Sequence, residues 1–171
     1  MKLGLPSDAM VVLIGASGAG KSTFAGRHFA ATEILSSDAM RAAVADDAED
    51  QTATDAAFEL LHTALGLRLA RRRLTVVDAT NVEAWARGRL LAVARRHGRP
   101  AAAIVFDLPL EVCLERNLLR GDRRLPEAAI RRQHARMRAS LKALAGEGFE
   151  PVWVISSAAA VDAARPERSS G

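Results

Sequence analysis

Residues 15–23 have the sequence GASGAGKST, and this segment constrains the fold more than any other part of the chain. It fits the pattern G-x-x-x-x-G-K-[ST], in which a glycine-rich turn joins a buried strand to a helix. The flanking residues agree with that context, because an apolar run typical of a parallel strand precedes the turn at 9–14 and a helical segment follows from Lys21 to about Phe29. A chance glycine turn would give no reason for a lysine and a hydroxyl at this register. We therefore predict a loop that binds phosphate groups.

Outside this loop, apolar segments alternate between strand and helix patterns. Further strands are predicted near Ile34 and Leu35 and at 74–81, 101–108 and 152–155, with 74–81 passing from strand into loop. Further helices are predicted to begin at Asp38, Thr54, Glu83, Pro109 and Pro126. Strands that alternate with helices in this way require right-handed crossovers and a parallel sheet. We predict an α/β fold of the P-loop NTPase type, a three-layer arrangement with a central parallel sheet of about five strands and helices on both faces.

Composition favours a single domain over residues 1–171. The chain has 171 residues, of which 49% are apolar, and a domain typically contains about 150 residues. The lone Cys113 has no CxxC partner, so we predict that it packs in the core rather than in a zinc site or a disulfide. The tail, residues 156–171, is polar and contains proline, which favours a frayed end.

The sequence gives no sign of a membrane segment, and its charge allows a polyanionic partner. No basic segment followed by an apolar stretch opens the sequence, and no run approaches the roughly 20 apolar residues of a membrane span. We therefore expect a cytoplasmic location and no membrane contact. The net charge is +4, and the arginine-rich stretch 116–138 permits a polyanionic partner, although basic runs are usually solvated faces.

The glycine-rich loop has the groups needed to bind a nucleoside triphosphate with Mg²⁺. Lys21 is predicted to reach the β- and γ-phosphates, and the Ser22 hydroxyl is predicted to bind the metal. Backbone amides in the loop can converge on phosphate oxygens, helped by the positive end of the following helix. The residues predicted to bind the nucleotide in this way are Gly15, Ser17, Gly18, Ala19, Gly20 and Thr23.

The segment SSDAMR, residues 36–41, follows the second of these strands, where the ligand crevice of a parallel sheet opens. Asp38 could accept the proton of an attacking hydroxyl, and Arg41, one helical turn further on, could bind a phosphate of the acceptor. An alternative is that Asp38 only caps the helix, for which Ser36 and Ser37 are also candidates, and pairs locally with Arg41. Spacing alone does not decide between these interpretations.

The segment DATN, residues 78–81, closes the next strand, which is predicted to lie beside the strand of the phosphate loop. Asp78 resembles a partial Walker B aspartate, so either Asp78 or Asp38 could hold the water shell of the magnesium ion. Thr80 and Asn81 could orient the acceptor or the γ-phosphate. They could equally cap the helix that follows.

The segment ERNLLRGDRR, residues 115–124, begins a predicted lid over about residues 115–140. Arg116 and Arg120 are four residues apart, which would place them on one face of a helix, and Arg123 follows in a Gly-Asp turn. Closing such a segment over the triphosphate would neutralise charge on the transferred phosphoryl group and exclude water. A solvated basic helix is the alternative.

The order of the motifs GxSGxGKST, SSDxxR, DATN and RNxxRxxR, with the stretches QTATDAAFELLH and EAAIRRQ between and after them, resembles the kinase domain of bacterial polynucleotide kinase-phosphatase over nearly the whole chain. That family heals broken RNA ends, and its kinase module belongs to a longer polypeptide with a phosphatase and a ligase-like domain. The resemblance therefore implies a module excised from such a polypeptide. It also implies ATP or another NTP as donor, and Mg²⁺, for which Mn²⁺ can substitute, as metal.

In this resemblance the acceptors are RNA or DNA ends that carry a 5′-hydroxyl. It implies that Lys21 and Ser22 serve donor and metal, that Asp38 is the general base, and that Arg41 contacts the acceptor strand. Arg116 would contact the transferred phosphate. Arg120 and Arg123 match the lid. Apart from the resemblance, the DATN segment leads us to predict that Thr80 binds the acceptor.

Two other classes of protein share part of this pattern. A small-metabolite kinase acting on a sugar acid or a nucleoside would have the same phosphate loop and lid arginines, but it would enclose its acceptor in a closed pocket. An NTP-regulated binding module or a GTPase-like switch would leave Asp38 without a task, and the sequence has no NKxD motif for reading guanine.

Overall fold

A computed structural model describes residues 1–121 and 124–169. Its strands are β1 (Lys2–Pro6), β2 (Met10–Ile14), β3 (Ile34–Ser36), β4 (Thr75–Asp78), β5 (Ala101–Phe106), β6 (Val152–Ile155) and β7 (Arg165–Ser169). Its helices are α1 (Lys21–His28), α2 (Ser37–Ala45), α3 (Thr54–Ala70), α4 (Ala84–Arg96), α5 (Leu110–Leu118), α6 (Glu127–Ser140), α7 (Leu144–Glu147) and α8 (Ala158–Ala163). No helix in these two ranges is both long enough and apolar enough to cross a bilayer.

The central sheet has five parallel strands in the order β3-β4-β2-β5-β6. Strand β2, which leads into the glycine-rich loop, lies in the middle between β4 and β5. All five residues of β2 are buried, because helices cover both faces of the sheet. The three-layer α/β fold predicted from the alternation of strands and helices is thus confirmed, including the position of the DATN strand beside the strand of the phosphate loop.

The alternation of side chains along β2 separates two hydrophobic cores. Val11 and Leu13 point to the core that contains Phe24 of α1, whereas Met10, Val12 and Ile14 point to the other. Leucines at helical spacing on α3 complete the second core, and these are Leu61, Leu65 and Leu69. Cys113 is buried in the first core, as predicted, and burial raises the pKa of its thiol. Alternate residues of β2 thus pack against the helices on opposite faces of the central sheet.

The end of the chain differs from the prediction. Residues 156–169 were expected to fray, but they form the short helix α8 and the strand β7. The Ser157 hydroxyl accepts a hydrogen bond from the Ala160 amide at 3.1 Å and caps α8. Strand β7 pairs in parallel with β1, whose Leu3 and Leu5 are fully buried. Sequence patterns missed this small sheet because its two strands are short, contain Gly or Pro, and lie at opposite ends of the chain.

Candidate active site

A cleft of about 880 Å³ opens where β2, β3 and β4 end. Parallel strands all present their carboxyl ends at one edge of a sheet, which is where ligands bind in open α/β folds. Three of the four motifs identified in the sequence, residues 15–23, 36–41 and 78–81, lie at this edge. The predicted residues that line the cleft are Ser17, Gly18, Gly20, Lys21, Ser22, Thr23, Asp38, Arg41, Asp78, Thr80, Arg116 and Arg120.

The glycines of the loop are required by its geometry. Gly18 has φ +84°, and a Cβ atom at this position would lie 2.4 Å from the Cys113 carbonyl oxygen. Gly20 has φ +94° and is the N-cap of α1. Both values lie in the left-handed region that side chains disfavour. The loop can therefore turn tightly against α5 and present its amides at the positive end of α1.

Lys21 lies folded against its own loop. Its Nζ donates to the carbonyl oxygens of Gly15 and Ala16 at 2.8 and 2.9 Å. Burial lowers the pKa of Lys21 to about 8, because desolvation disfavours the ammonium and the nearby Asp78 only partly compensates. A ligand that brings several negative charges next to this ammonium will raise its pKa again. The site therefore favours a polyanion such as a triphosphate.

Ser22 and Asp78 form the oxygen-rich part of the cleft. Burial raises the pKa of the Asp78 carboxyl, whereas a hydrogen bond from the Ser22 hydroxyl and the charge of Lys21 act in the opposite direction. Mg²⁺ prefers hard oxygen ligands and keeps several of its waters. A hydroxyl beside a buried carboxylate fits that requirement, so Ser22 would hold the ion directly and Asp78 through water.

Asp38 and Arg41 both line the cleft and form an ion pair of 3.1 Å. The Asp38 side chain is 53% exposed, whereas that of Arg41 is only 12% exposed. The proposed capping role of Asp38 is wrong, because Ser36 is the N-cap of α2 and its hydroxyl accepts from the Ala39 amide. The local pairing with Arg41 is present. Asp38 is thus a solvent-accessible carboxylate within the same cleft as Lys21.

The arginines that the sequence predicts as part of a lid are arranged differently from that prediction. Arg116 lies on α5 and its Nη1 donates to the Gly18 carbonyl oxygen at 3.4 Å. Arg120 does not share its helix face, because α5 ends at Leu118. The helix ends here because the buried Asn117 side chain bonds both backbone groups of Leu125 at 2.9 and 3.0 Å and turns the chain back.

Arg116 and Arg120 nevertheless both line the cleft. The predicted role of Arg123 lies outside the described residues.

The DATN loop is tied to the phosphate loop by backbone and side-chain bonds. The Gly15 amide donates to the Thr80 carbonyl oxygen at 3.0 Å, and Asn81 Nδ2 donates to the Leu13 carbonyl oxygen at 2.7 Å. Asn81 has φ +50° and is buried, so it is a structural residue of the loop. It does not cap α4, and neither does Thr80, because the N-cap is Glu83.

An ion pair between helices α4 and α7 supports this loop. Arg87 on α4 is fully buried, and its Nη1 donates to the Asn81 carbonyl oxygen at 3.0 Å. Its Nε and Nη2 donate to the two carboxylate oxygens of Glu147 at 2.7 and 2.6 Å. The guanidinium therefore holds the backbone of the loop that carries Asp78 and Thr80. Sequence patterns gave no signal for Arg87 or Glu147, since arginine and glutamate normally lie on helix surfaces.

Several other residues of the cleft were not identified from the sequence. The Gln133 side chain on α6 accepts from the Ser17 amide at 2.9 Å and connects this helix to the phosphate loop. Arg27 and Asp162 form an ion pair of 2.8 Å across the cleft wall. Thr54 and Phe58 line the cleft from α3. Asp162 could have been found from the serine cap and alanine-rich run around α8, which together indicate a helix.

Comparison with known proteins places this fold and site in a family. A profile described as AAA domain matches residues 10–144 of the sequence. The chain belongs to the AAA domain family. No curated protein sequence is similar enough to be matched with it.

Solved structures similar to this AAA domain protein include an RNA repair complex, a gluconokinase and a tunicamycin resistance protein. A chain of the Pnkp1/Rnl/Hen1 RNA repair complex has 22% identity and a TM-score of 0.68, with 82% of this chain and 47% of that chain covered. A gluconokinase from Sinorhizobium meliloti 1021 has 21% identity and a TM-score of 0.55, with 90% and 85% covered. The tunicamycin resistance protein of Deinococcus radiodurans has 18% identity and a TM-score of 0.54, with 84% of both chains covered.

The chain thus spans about half the length of the matching chain in the RNA repair complex. The resemblance to a P-loop kinase domain is confirmed at the level of family and fold. The AAA domain protein is a kinase-type P-loop phosphotransferase that binds a nucleotide. The similar structures include both an RNA repair complex and a sugar-acid kinase, so they leave the acceptor open.

Proposed function

We propose that this protein is a polynucleotide 5′-hydroxyl kinase, which transfers the γ-phosphate of ATP or another NTP to the 5′-hydroxyl end of RNA or DNA. The observation that carries the proposal is Arg41. Its guanidinium is largely buried on the acceptor side of the cleft, and its Nε has no partner among the described residues. Such a cation fits an acceptor that has an anionic phosphate next to the hydroxyl that is phosphorylated.

In the proposed reaction the acceptor hydroxyl attacks the γ-phosphorus while the bond to the β–γ bridging oxygen breaks, and the nucleoside diphosphate leaves. Asp38, an accessible carboxylate in the cleft, accepts the proton of the hydroxyl. Lys21, Arg116 and Arg120 bring positive charge to the phosphates, where it stabilises the transferring phosphoryl group. Mg²⁺ held by Ser22, with Asp78 behind its waters, would neutralise charge on the β- and γ-phosphates when it is bound.

The similar fold of a chain in an RNA repair complex supports this choice of acceptor. The RNA repair chain is about twice as long as the part that this protein matches. A role in healing RNA ends is therefore proposed here together with the kinase reaction. Phosphatase and ligase-like modules of a parent polypeptide are the partners that this role implies. A cytoplasmic location follows from the same role.

A small-metabolite kinase is the second candidate. It is favoured by the gluconokinase structure, because the match covers 90% of this chain and 85% of the gluconokinase chain. It would use the same phosphate loop and the same lid arginines. It differs in its acceptor, which would be a sugar acid or a nucleoside without a neighbouring phosphate.

A transfer assay with labelled γ-phosphate separates the two candidates. The acceptors are a 5′-hydroxyl oligonucleotide, a nucleoside 3′-monophosphate, the matching nucleoside, and gluconate. We expect the two phosphate-bearing acceptors to be preferred over the nucleoside, and Arg41→Ala to remove most of that preference. A charge-assisted contact of about 1.5–3 kcal/mol corresponds to an effect of roughly tenfold to a hundredfold. Equal use of nucleoside and oligonucleotide, or transfer to gluconate alone, would contradict the proposal and favour the metabolite kinase.

A further inference from the structure

The acceptor side of the cleft extends beyond Asp38 and Arg41 onto helix α3. Thr54 and Phe58 are four residues apart on this helix, so they lie on one face, and both line the cleft. Helix α2, which carries Arg41, packs against α3. The two helices therefore form one wall that the acceptor meets when its hydroxyl is placed near Asp38.

Phe58 departs from the pattern of its own helix. Its spacing with Leu61, Leu65 and Leu69 predicts a place in the core, and these leucines are at most 1% exposed. Phe58 is only partly buried and turns an aromatic surface to the cleft. A large aromatic ring at the edge of a polar cleft offers a flat apolar surface, on which a nucleobase can stack.

Two polar atoms of this wall are removed from solvent and have no partner among the described residues. They are Thr54 Oγ1 and Arg41 Nε. The Arg41 guanidinium uses Nη1 for Asp38, which leaves Nε free to donate to another group. The Thr54 hydroxyl does not serve its own helix either, because α3 has no side-chain capping bond. Buried donors without partners are rare in native proteins, so each of these two atoms calls for a partner such as a water or a ligand oxygen.

We propose that Thr54 and Phe58 form the acceptor-nucleotide subsite of this enzyme. The Thr54 hydroxyl donates to the same phosphate as Arg41, which is the phosphate on the 3′ side of the attacked nucleotide. The Phe58 ring packs against the nucleobase of that nucleotide. This inference rests on the proposed polynucleotide kinase function and adds the residues that recognise the acceptor.

The subsite also explains how the enzyme could bind acceptor oligonucleotides of any base sequence. An aromatic ring stacks on any nucleobase, and a hydroxyl with a guanidinium binds any backbone phosphate. The acceptor end would thus be recognised by its chemistry and not by its base identity. A sugar acid has neither a base for Phe58 nor a phosphate for Thr54.

The inference is tested with the variants Thr54→Val and Phe58→Leu. Valine keeps the shape of threonine and removes the hydroxyl, and leucine keeps much of the apolar volume but removes the ring. Thr63→Val is the matched control, because Thr63 lies exposed on the same helix and its hydroxyl bonds the Glu59 carbonyl oxygen instead. Melting temperatures and the KM for ATP are measured for all of them.

Four acceptors separate the two contacts, namely a 5′-hydroxyl oligonucleotide, the same oligonucleotide with an abasic 5′ residue, a nucleoside 3′-monophosphate, and a nucleoside. We expect Thr54→Val to lower kcat/KM about tenfold for the first three and to leave the nucleoside unchanged. We expect Phe58→Leu to lower kcat/KM about tenfold for acceptors with a base and to leave the abasic one unchanged. Thr63→Val should match the wild type throughout.

The outcomes distinguish the inference from the proposed function. If the wild type phosphorylates oligonucleotides, but Thr54→Val behaves like Thr63→Val and Phe58→Leu affects base-bearing and abasic acceptors alike, the subsite is refuted and the kinase function stands. An equal loss on all acceptors together with a lower melting temperature would mean a packing defect, which also refutes the subsite. If the wild type uses none of the four acceptors, the proposed function and the subsite fail together.

Discussion

The buried Lys21 makes nucleotide binding depend on pH in a direction that the structure sets. In the ligand-free protein, burial lowers the pKa of its ammonium to about 8 from an ordinary value of 10.5. Only the charged form attracts the phosphates, and the bound phosphates raise its pKa again. As pH rises through about 8, the free protein loses this proton before the complex does. Binding must therefore weaken with rising pH, and above that pH it must be accompanied by proton uptake.

The size of the effect follows from the two pKa values. If the bound pKa returns to its ordinary value, the free protein at about pH 9 lacks roughly nine-tenths of a proton that the complex holds. The dissociation constant should then rise about tenfold between pH 7 and about pH 9, which is roughly 1.4 kcal/mol of binding free energy. The phosphates of the nucleotide do not contribute, since their last ionisation, near pH 6, is complete.

The assay is binding of labelled ATP without Mg²⁺, followed by fluorescence anisotropy between about pH 7 and pH 9.5. Isothermal titration in two buffers of different ionisation enthalpy counts the protons taken up. Lys21→Met is the control, because it should bind weakly and with no pH dependence over this range. Cys113→Ala removes the other group near Lys21 that titrates in the alkaline range, and it should retain the dependence.

A flat affinity profile for the wild type, or no proton uptake at about pH 9, would refute the reasoning. It would mean that the hydrogen bonds from Lys21 to the carbonyl oxygens of Gly15 and Ala16 stabilise the ammonium enough to offset the cost of its burial. A dependence that survives in Lys21→Met would assign the titration to another group.

Three further predictions concern residues around the phosphates. Asp38→Asn should lower transfer to a hydroxyl by about 10²-fold and leave ATP binding intact, as measured by single-turnover and binding assays, because the amide cannot accept a proton. Arg116→Ala should lower kcat by about 10²-fold or more with a smaller change in the KM for ATP in steady-state kinetics, because its charge is needed most in the transition state. Arg87→Met should lower the free energy of unfolding by about 3 kcal/mol in urea denaturation, because it leaves the Glu147 carboxylate, whose side chain is only 18% exposed, without its partner. The double variant Arg87→Met/Glu147→Leu should recover most of that stability but not kcat, since the bond to the DATN loop is still missing; recovery of kcat would contradict its positioning role.

The features that sequence patterns predicted well are those whose causes are local. The phosphate loop needs glycines where φ is positive, as at Gly18 and Gly20, and a lysine and hydroxyl at the start of the helix. Buried parallel strands require continuous apolar runs, so the predicted bounds of β2 and β6 agree with the structure to within one residue and those of β5 to within two. Each of these signals is contained within about ten residues.

The features that were missed depend on distant partners. Helical spacing identified the face of α3 that contains Phe58, but it could not tell a core from a cleft, because both accept an apolar side chain. The end of α5 is set by Asn117, whose side chain bonds a residue beyond the turn, and no pattern around Arg120 reveals that bond. The contact of Gln133 with the phosphate loop likewise joins segments more than a hundred residues apart.

The pairing of β1 with β7 has a consequence for how the protein bears mechanical force. The chain enters β1 at Lys2 and leaves β7 at Ser169, and the two strands run parallel over five residue pairs. Pulling the first and last residues apart would therefore slide one strand along the other. All the hydrogen bonds between the strands would share that load at once, whereas antiparallel ends would be peeled open one bond at a time. The terminal sheet would therefore resist such a pull in shear, and the rest of the fold would be loaded only after these hydrogen bonds break.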